Sequence, residues 1–156
     1  MVYVIIVVGV LLSILALLAV VALVSRRRLA KQDERRRSAI PQFATQRGEL
    51  PARFLKAAAA TGKPRGLRWK AVELNGAPLF AVDLSGRLYA LNGATISFEA
   101  IEGGGMEDVE AVGNLRSATA VFVHRNGEWT TDGRVIFNLE PAEAIERFGG
   151  ALQQLI

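Results

Sequence analysis

The sequence predicts an α+β protein: an N-terminal transmembrane helix, then a small antiparallel β-rich roll with a C-terminal helix. Three observations predict it. From Val2 to Val24 no side chain is charged. From Gly66 to Leu139 apolar and polar residues alternate, and Asn-Gly, Ser-Gly and Asp-Gly pairs interrupt the alternation at short intervals. After Pro141 the apolar period turns helical again, with Ala144, Ile145 and Phe148 on one face, and Gly149-Gly150 interrupts it before Leu152 and Ile156.

The first run is almost wholly Val, Ile, Leu and Ala, broken only by Tyr3, Gly9 and Ser13. As a helix it reaches about 35 Å, enough for a hydrocarbon core of about 30 Å. A cleaved signal peptide fits less well. Met1, Val2 and Tyr3 carry no Lys or Arg, the run exceeds an h-region of about 7–15 residues, and no small-x-small site precedes the arginines. An uncleaved signal-anchor is expected. Arg26, Arg27, Arg28, Lys31, Arg35, Arg36 and Arg37 follow it closely, and none precedes it. The positive-inside rule then puts the N-terminus outside and residues 25–156 in the cytoplasm. Gly9, Ser13 and Ala16 share one helical face and offer a close-packing surface for a homodimer of spans.

Charge is divided along the chain. Residues 25–70 hold fourteen Lys or Arg against three acids; residues 71–156 hold five Arg against twelve acids. The net +4 therefore describes a basic connector beside an acidic domain. A basic segment next to a bilayer favours anionic lipid headgroups, at about 1 kcal/mol per Lys or Arg near the surface, over nucleic acid. The absence of cysteine excludes disulfides, thiolate metal sites and cysteine nucleophiles.

The expected division is 1–24 anchor, 25–61 basic juxtamembrane helix and linker, and 62–156 cytoplasmic β-rich domain. The helix of residues 25–40 should stop before Pro41, because the residue before proline is pushed out of the α region. Gln42–Glu49 reads as linker. Pro51 suits the first turn of an alanine-rich helix over 52–60, which Thr61, Gly62 and Pro64 end. Strands are expected over Leu67–Leu74, Leu79–Asp83 and Arg87–Leu91, with hairpin turns at Asn75-Gly76 and Ser85-Gly86 and a break at Asn92-Gly93. Another strand runs over Ala94–Ala100. Gly103-Gly104-Gly105 is a flexible loop, and Glu107–Val112 a short strand. Residues 118–123 alternate, Asn126-Gly127 turns into Glu128–Thr131, and Asp132-Gly133 turns into Arg134–Leu139.

Strands followed by one closing helix resemble the element order of a pleckstrin-homology-type roll. The lipid-binding basic signature of that family is missing from the first hairpin, apart from Arg68 and Lys70. Two segments, Ile96–Asp108 and Trp129–Gly133, resemble a family of uncharacterised small membrane-anchored proteins from planctomycete-type bacteria. That resemblance covers residues 60–148. It implies a bacterial inner-membrane protein and carries no activity, so no functional residue follows from it.

The sharpest cluster of chemistry-bearing residues is acidic: Glu99, Glu102, Glu107, Asp108 and Glu110 around the triple glycine. Hard cations take oxygen ligands, so these are the metal-ligand candidates. Their spacing matches no calcium-loop pattern, and a solvated loop explains them as well. Asp83 and Asp132 read as turn residues bonded to their own backbone. His124 is the only histidine and stands at a strand end, half exposed; alone it builds no metal site. Trp69 and Trp129 read as core or cross-strand aromatics. No catalytic residue and no cofactor is expected. The reading is a membrane-anchored interaction or scaffold module with a protein partner. Its rivals are a divalent-metal-dependent enzyme using the 99–110 carboxylates and a structural subunit of a membrane complex.

Overall fold

The computed structural model describes residues 1–62 and 65–155. Pro64, expected to help end a helix, lies outside the described residues. The chain is α+β, and its contacts divide it into two units, Met1–Ser38 and Ala39–Ile156.

The first unit is one helix, α1 (Val2–Gln46), as far as Ser38. It is long and apolar enough to cross a membrane. Apolar side chains such as Tyr3, Leu12, Leu15 and Val21 are exposed around its whole circumference. A helix apolar all round needs an apolar surrounding. Ser13 donates to the Gly9 carbonyl at 2.9 Å, which satisfies the hydroxyl within the helix. In the basic stretch Arg36 lies 3.5 Å from Asp33. The Arg28 side chain lies outside the described residues.

Pro41 does not stop α1. The helix continues to Gln46, and most of the expected linker is helical. Proline in a helix interior costs roughly 3 kcal/mol or more. The opposing term is burial: Ala39 and Phe43 sit in the core of the second unit. Phe43 packs edge-on against Phe80, Phe122 and Trp129, with centroids at 5.9, 5.6 and 5.1 Å. The Trp129 indole N–H donates to the Ala39 carbonyl at 2.9 Å. A tight turn then leads to α2 (Leu50–Thr61), with Pro51 in its first turn as expected. Leu50, Phe54 and Ala58 face inward. The core therefore draws on helical residues from Ala39 onward, well before residue 62.

The sheet contains β1 (Leu67–Asp83), β2 (Leu88–Ala100), β3 (Arg116–Arg125), β4 (Glu128–Thr130), β5 (Val135–Phe137) and β6 (Leu152–Gln154), all antiparallel. The order is β4-β3-β2-β1-β6, with β5 also on β3, so the hydrogen-bonded path is open and ends at β4 and β6. The turn at Ser85-Gly86 forms as expected, and so does the hairpin at Asn126-Gly127. The hairpin expected at Asn75-Gly76 does not form: β1 is one strand of 17 residues with a bulge between Asn75 and Leu79. The break expected at Asn92-Gly93 lies inside β2. Arg47 fixes the bulge by donating to the carbonyls of Leu74 and Gly76 at 3.2 and 2.6 Å. The short strand expected over Glu107–Val112 is instead a 3-10 turn, Glu110–Gly113.

Both faces of the sheet are apolar. Val72, Val82, Leu88, Ala90, Ile96, Ala120 and Phe122 pack under the end of α1 and under α2. On the other face Ala81 and Leu91 pack with Ala144 and Ile145 of α3 (Pro141–Arg147). Glu140 and Glu143 form a reciprocal capping box at the start of α3.

Candidate functional site

The two faces are covered unequally. One carries the end of α1 and all of α2. The other carries α3, whose 7 residues make a rod of about 10 Å. The 13 residues of β2 extend about 40 Å. Beside α3 this leaves a groove of about 610 Å³. Leu91, Val121 and Ile136 form its floor, and Tyr89, Phe148 and Leu152 its sides.

The charged groups at its rim are already bonded to neighbours. Asp83 Oδ1 accepts from Ser85 Oγ at 2.6 Å and from the Ser85 and Arg87 backbone N–H groups, both at 2.9 Å. Its Oδ2 accepts from Tyr89 at 3.2 Å and lies 3.2 Å from Arg87 Nε. Partial burial pushes the Asp83 carboxyl up, but these donors and the arginine outweigh it and hold the group below the usual carboxylate value. Arg134 pairs with Asp132 at 3.2 Å, and Asp132 also accepts from the Arg134 backbone at 3.1 Å. The groove thus offers an apolar floor with a self-neutralised rim. Such a surface takes apolar side chains.

The five acidic candidates do not converge. Glu99 is held by Arg68 at 2.6 Å across the strand pair. Glu107 Oε1 accepts from the Gly104 N–H at 3.1 Å. The Glu107 carboxyl is held below its usual value mainly by its own backbone N–H; desolvation opposes, and the N–H groups of Gly103, Met106 and Gly104 add to the lowering. Glu102, Asp108 and Glu110 are exposed on the loop. Among the described residues no group of three or more His, Asp or Glu is placed to hold a metal ion. Within the triple glycine Gly104 alone is pinned, since a Cβ there would lie 2.7 Å from the Gly66 Cα, beside the bond of Ile101 N–H to Gly66 O at 2.9 Å; Gly103 and Gly105 have open space around them.

His124 Nε2 lies 3.3 Å from Gln42 Oε1, and its ring packs 5.3 Å from Trp129. Burial lowers its pKa, against a hydrogen bond with the Gly127 backbone that raises it. Trp69 and Trp129 are both packed into the core, and Trp69 donates to Gly62 O at 2.9 Å.

Sequence reasoning missed the groove. A signal was present, because Tyr89, Leu91, Val121 and Val123 are apolar at the positions alternating with Leu88, Ala90, Ala120 and Phe122. A strand apolar on both sides is a strand covered on both sides.

No family model matches the chain, and no curated protein and no solved structure is significantly similar to it. The function therefore rests on the geometry alone.

Proposed function

We propose that this chain is a membrane-tethered module that binds another protein through the partly covered face of its sheet. The observation that carries this is the groove beside α3, apolar in its floor and left open by a helix of only 7 residues. A partner's amphipathic helix laid beside α3 completes the layer, as helices do on sheets. α1 anchors the module. The N-terminus lies outside and the sheet-bearing unit in the cytoplasm, a reading supported by the positive charges that follow the apolar run. Arg26, Arg27, Lys31, Arg35, Arg36 and Arg37, with Arg28, attract anionic lipid headgroups. The face of Gly9, Ser13 and Ala16 serves pairing of two spans. Strands followed by α3 support a scaffold of the pleckstrin-homology kind, from which β6 departs by following the helix. The likeness of residues 96–108 and 129–133 to small bacterial inner-membrane proteins agrees with this placement.

The test places a photoreactive residue at Val121 or Ile136 in the groove, or at the exposed Lys56 on α2, in native membranes. The expected result is an adduct of one defined mass from the groove positions and not from Lys56. Equal labelling from both surfaces, or none from the groove, refutes the reading. A reporter active only in the cytoplasm, fused after the last residue, should be active; activity of a periplasmic reporter alone reverses the orientation.

A further inference from the structure

A second cavity, of about 400 Å³, lies under the loop that carries the acidic residues and meets the first only at Phe137. Its size is near the lower end of small-molecule sites, which span about 300–1,000 Å³. Leu67, Phe98 and Phe137 line it from the ends of three strands. Met106, Val109 and Val112 line it from the loop. The loop wall is fixed at its base by the Gly66–Gly104 approach and along its length by the bonds of Val109 N–H to Met106 O and Val112 N–H to Val109 O, at 3.2 and 3.0 Å.

Two polar residues share this otherwise apolar lining, Arg116 and Asn138. Arg116 donates to the Ala111 carbonyl at 3.1 Å, and among the described residues it forms no ion pair. Asp108 and Glu110 stand on the same loop, yet neither is paired with it. A guanidinium has five N–H donors in a planar fork suited to carboxylate or phosphate, and four remain here. Asn138 holds a left-handed conformation, φ 57°, in which its backbone N–H bonds Ser117 O at 3.0 Å. Its side-chain amide makes no hydrogen bond to another described residue and lies beside the same cavity. Asparagine adopts this left-handed conformation more readily than most side chains, so the φ fixes where the amide sits without marking strain.

We infer that this cavity binds a single-chain amphiphile with an anionic head, its chain among Phe98, Met106 and Val109 and its head on Arg116 and Asn138. The volume admits one alkyl chain and not a two-chain lipid. The inference does not depend on the protein-binding groove.

The protein has two methionines, Met1 and Met106, so methyl NMR of the ¹³C-methionine-labelled full chain in nanodiscs reports on the cavity and carries its own control. Decanoate should move the Met106 signal saturably and leave Met1 unchanged, and decanol should bind about tenfold or more weakly, the loss expected for one charge-assisted hydrogen bond. Arg116→Gln should weaken decanoate by a similar factor without changing decanol. Val109→Trp, at an exposed position, should abolish both while circular dichroism stays native. Decyl phosphate separates the two sources of the head: tighter binding than decanoate assigns a phosphate head, weaker binding a carboxylate. Equal affinity for decanoate and decanol overturns the inference, as does a Met106 signal that no anion moves. If Arg116→Gln fails to fold, the decanoate-to-decanol ratio in the native chain decides.

Discussion

Phe43→Ala tests how the end of α1 is built into the second unit. Phe43 is 1% exposed and touches three other rings edge-on. Truncating a buried Phe costs about 3–5 kcal/mol in transfer and cavity terms. Each edge-to-face pair contributes about 0.5–1.5 kcal/mol beyond area, which places this site toward the upper part of that range. Domain stabilities are about 5–15 kcal/mol, so the variant loses a large share of the total. The thermal midpoint should fall by on the order of 10–20 °C. Both tryptophans, Trp69 and Trp129, lie in the second unit, so urea unfolding of the full chain in micelles can be followed by their emission. Phe148→Ala is the comparison: that ring is 44% exposed, and the loss should be only about 1–2 kcal/mol. If Phe43→Ala costs no more than Phe148→Ala, the helix end does not contribute to the core and the account of Pro41 fails with it.

Gly133→Ala should destabilise strongly, because φ is 78° and a Cβ there overlaps the Ala58 backbone. Gly76→Ala, at φ 62° with open space around it, should cost only about 1–2 kcal/mol for the left-handed conformation, and thermal midpoints compare the two. Burial lowers the pKa of His124 in the folded state, so the unfolded chain takes up the proton first as pH falls below about 6.5. Stability should therefore drop from that pH down to the folded pKa and level off beneath it; His124→Gln should remove this part of the slope, and an unchanged slope would show the ring is not shielded. Millimolar Mg²⁺ or Ca²⁺ at fixed ionic strength should leave the thermal midpoint unmoved, and a shift of several degrees that disappears in Glu107→Gln with Asp108→Asn would establish a metal site. Limited proteolysis of the second unit should cut the exposed loop 102–110 before residues 42–49, which are helical or in a tight turn; the reverse order would restore the linker reading.

The candidate sites differed in how far the sequence revealed them. Charge density drew attention to Glu99, Glu102, Glu107, Asp108 and Glu110, yet proximity in sequence says nothing about convergence. Glu99 lies on a strand and finds Arg68 on the next strand, while Glu107 turns back to the amides of its own loop. The groove was hidden for the opposite reason. Its residues come from the end of β1, from β2, β3 and β5, and from the C-terminal segment, and no short window contains them. Arg116 was equally invisible, because an unpaired cation is defined by which carboxylates fail to reach it in space.

Three Asn-Gly pairs show where local signals suffice and where they do not. At 126–127 both residues hold positive φ, 52° and 86°, and the pair closes Arg125 onto Glu128 in a two-residue turn. At 75–76 only Gly76 is left-handed, and at 92–93 neither residue is. These two pairs face each other across β1 and β2, with Asn75 opposite Gly93 and the Asn92 amide donating to the Asn75 carbonyl at 2.6 Å. The dipeptide permits a turn, and the surrounding chain decides whether one is made. A hairpin at 75–76 would fold Leu67–Leu74 back on Leu79–Asp83 and leave β2 with half a partner. Keeping both segments in one strand lets Val72 and Val82 enter the same core along the whole length of β2. The excess residues Gly76, Ala77 and Pro78 are set against Asn92 in the bulge, where a proline without an N–H breaks no ladder bond. Pro78 was thus the readable argument against the hairpin. Pro41 carried the same kind of information misread: proline marks a place where one backbone bond is missing, and packing such as that of Phe43 determines whether the element ends there.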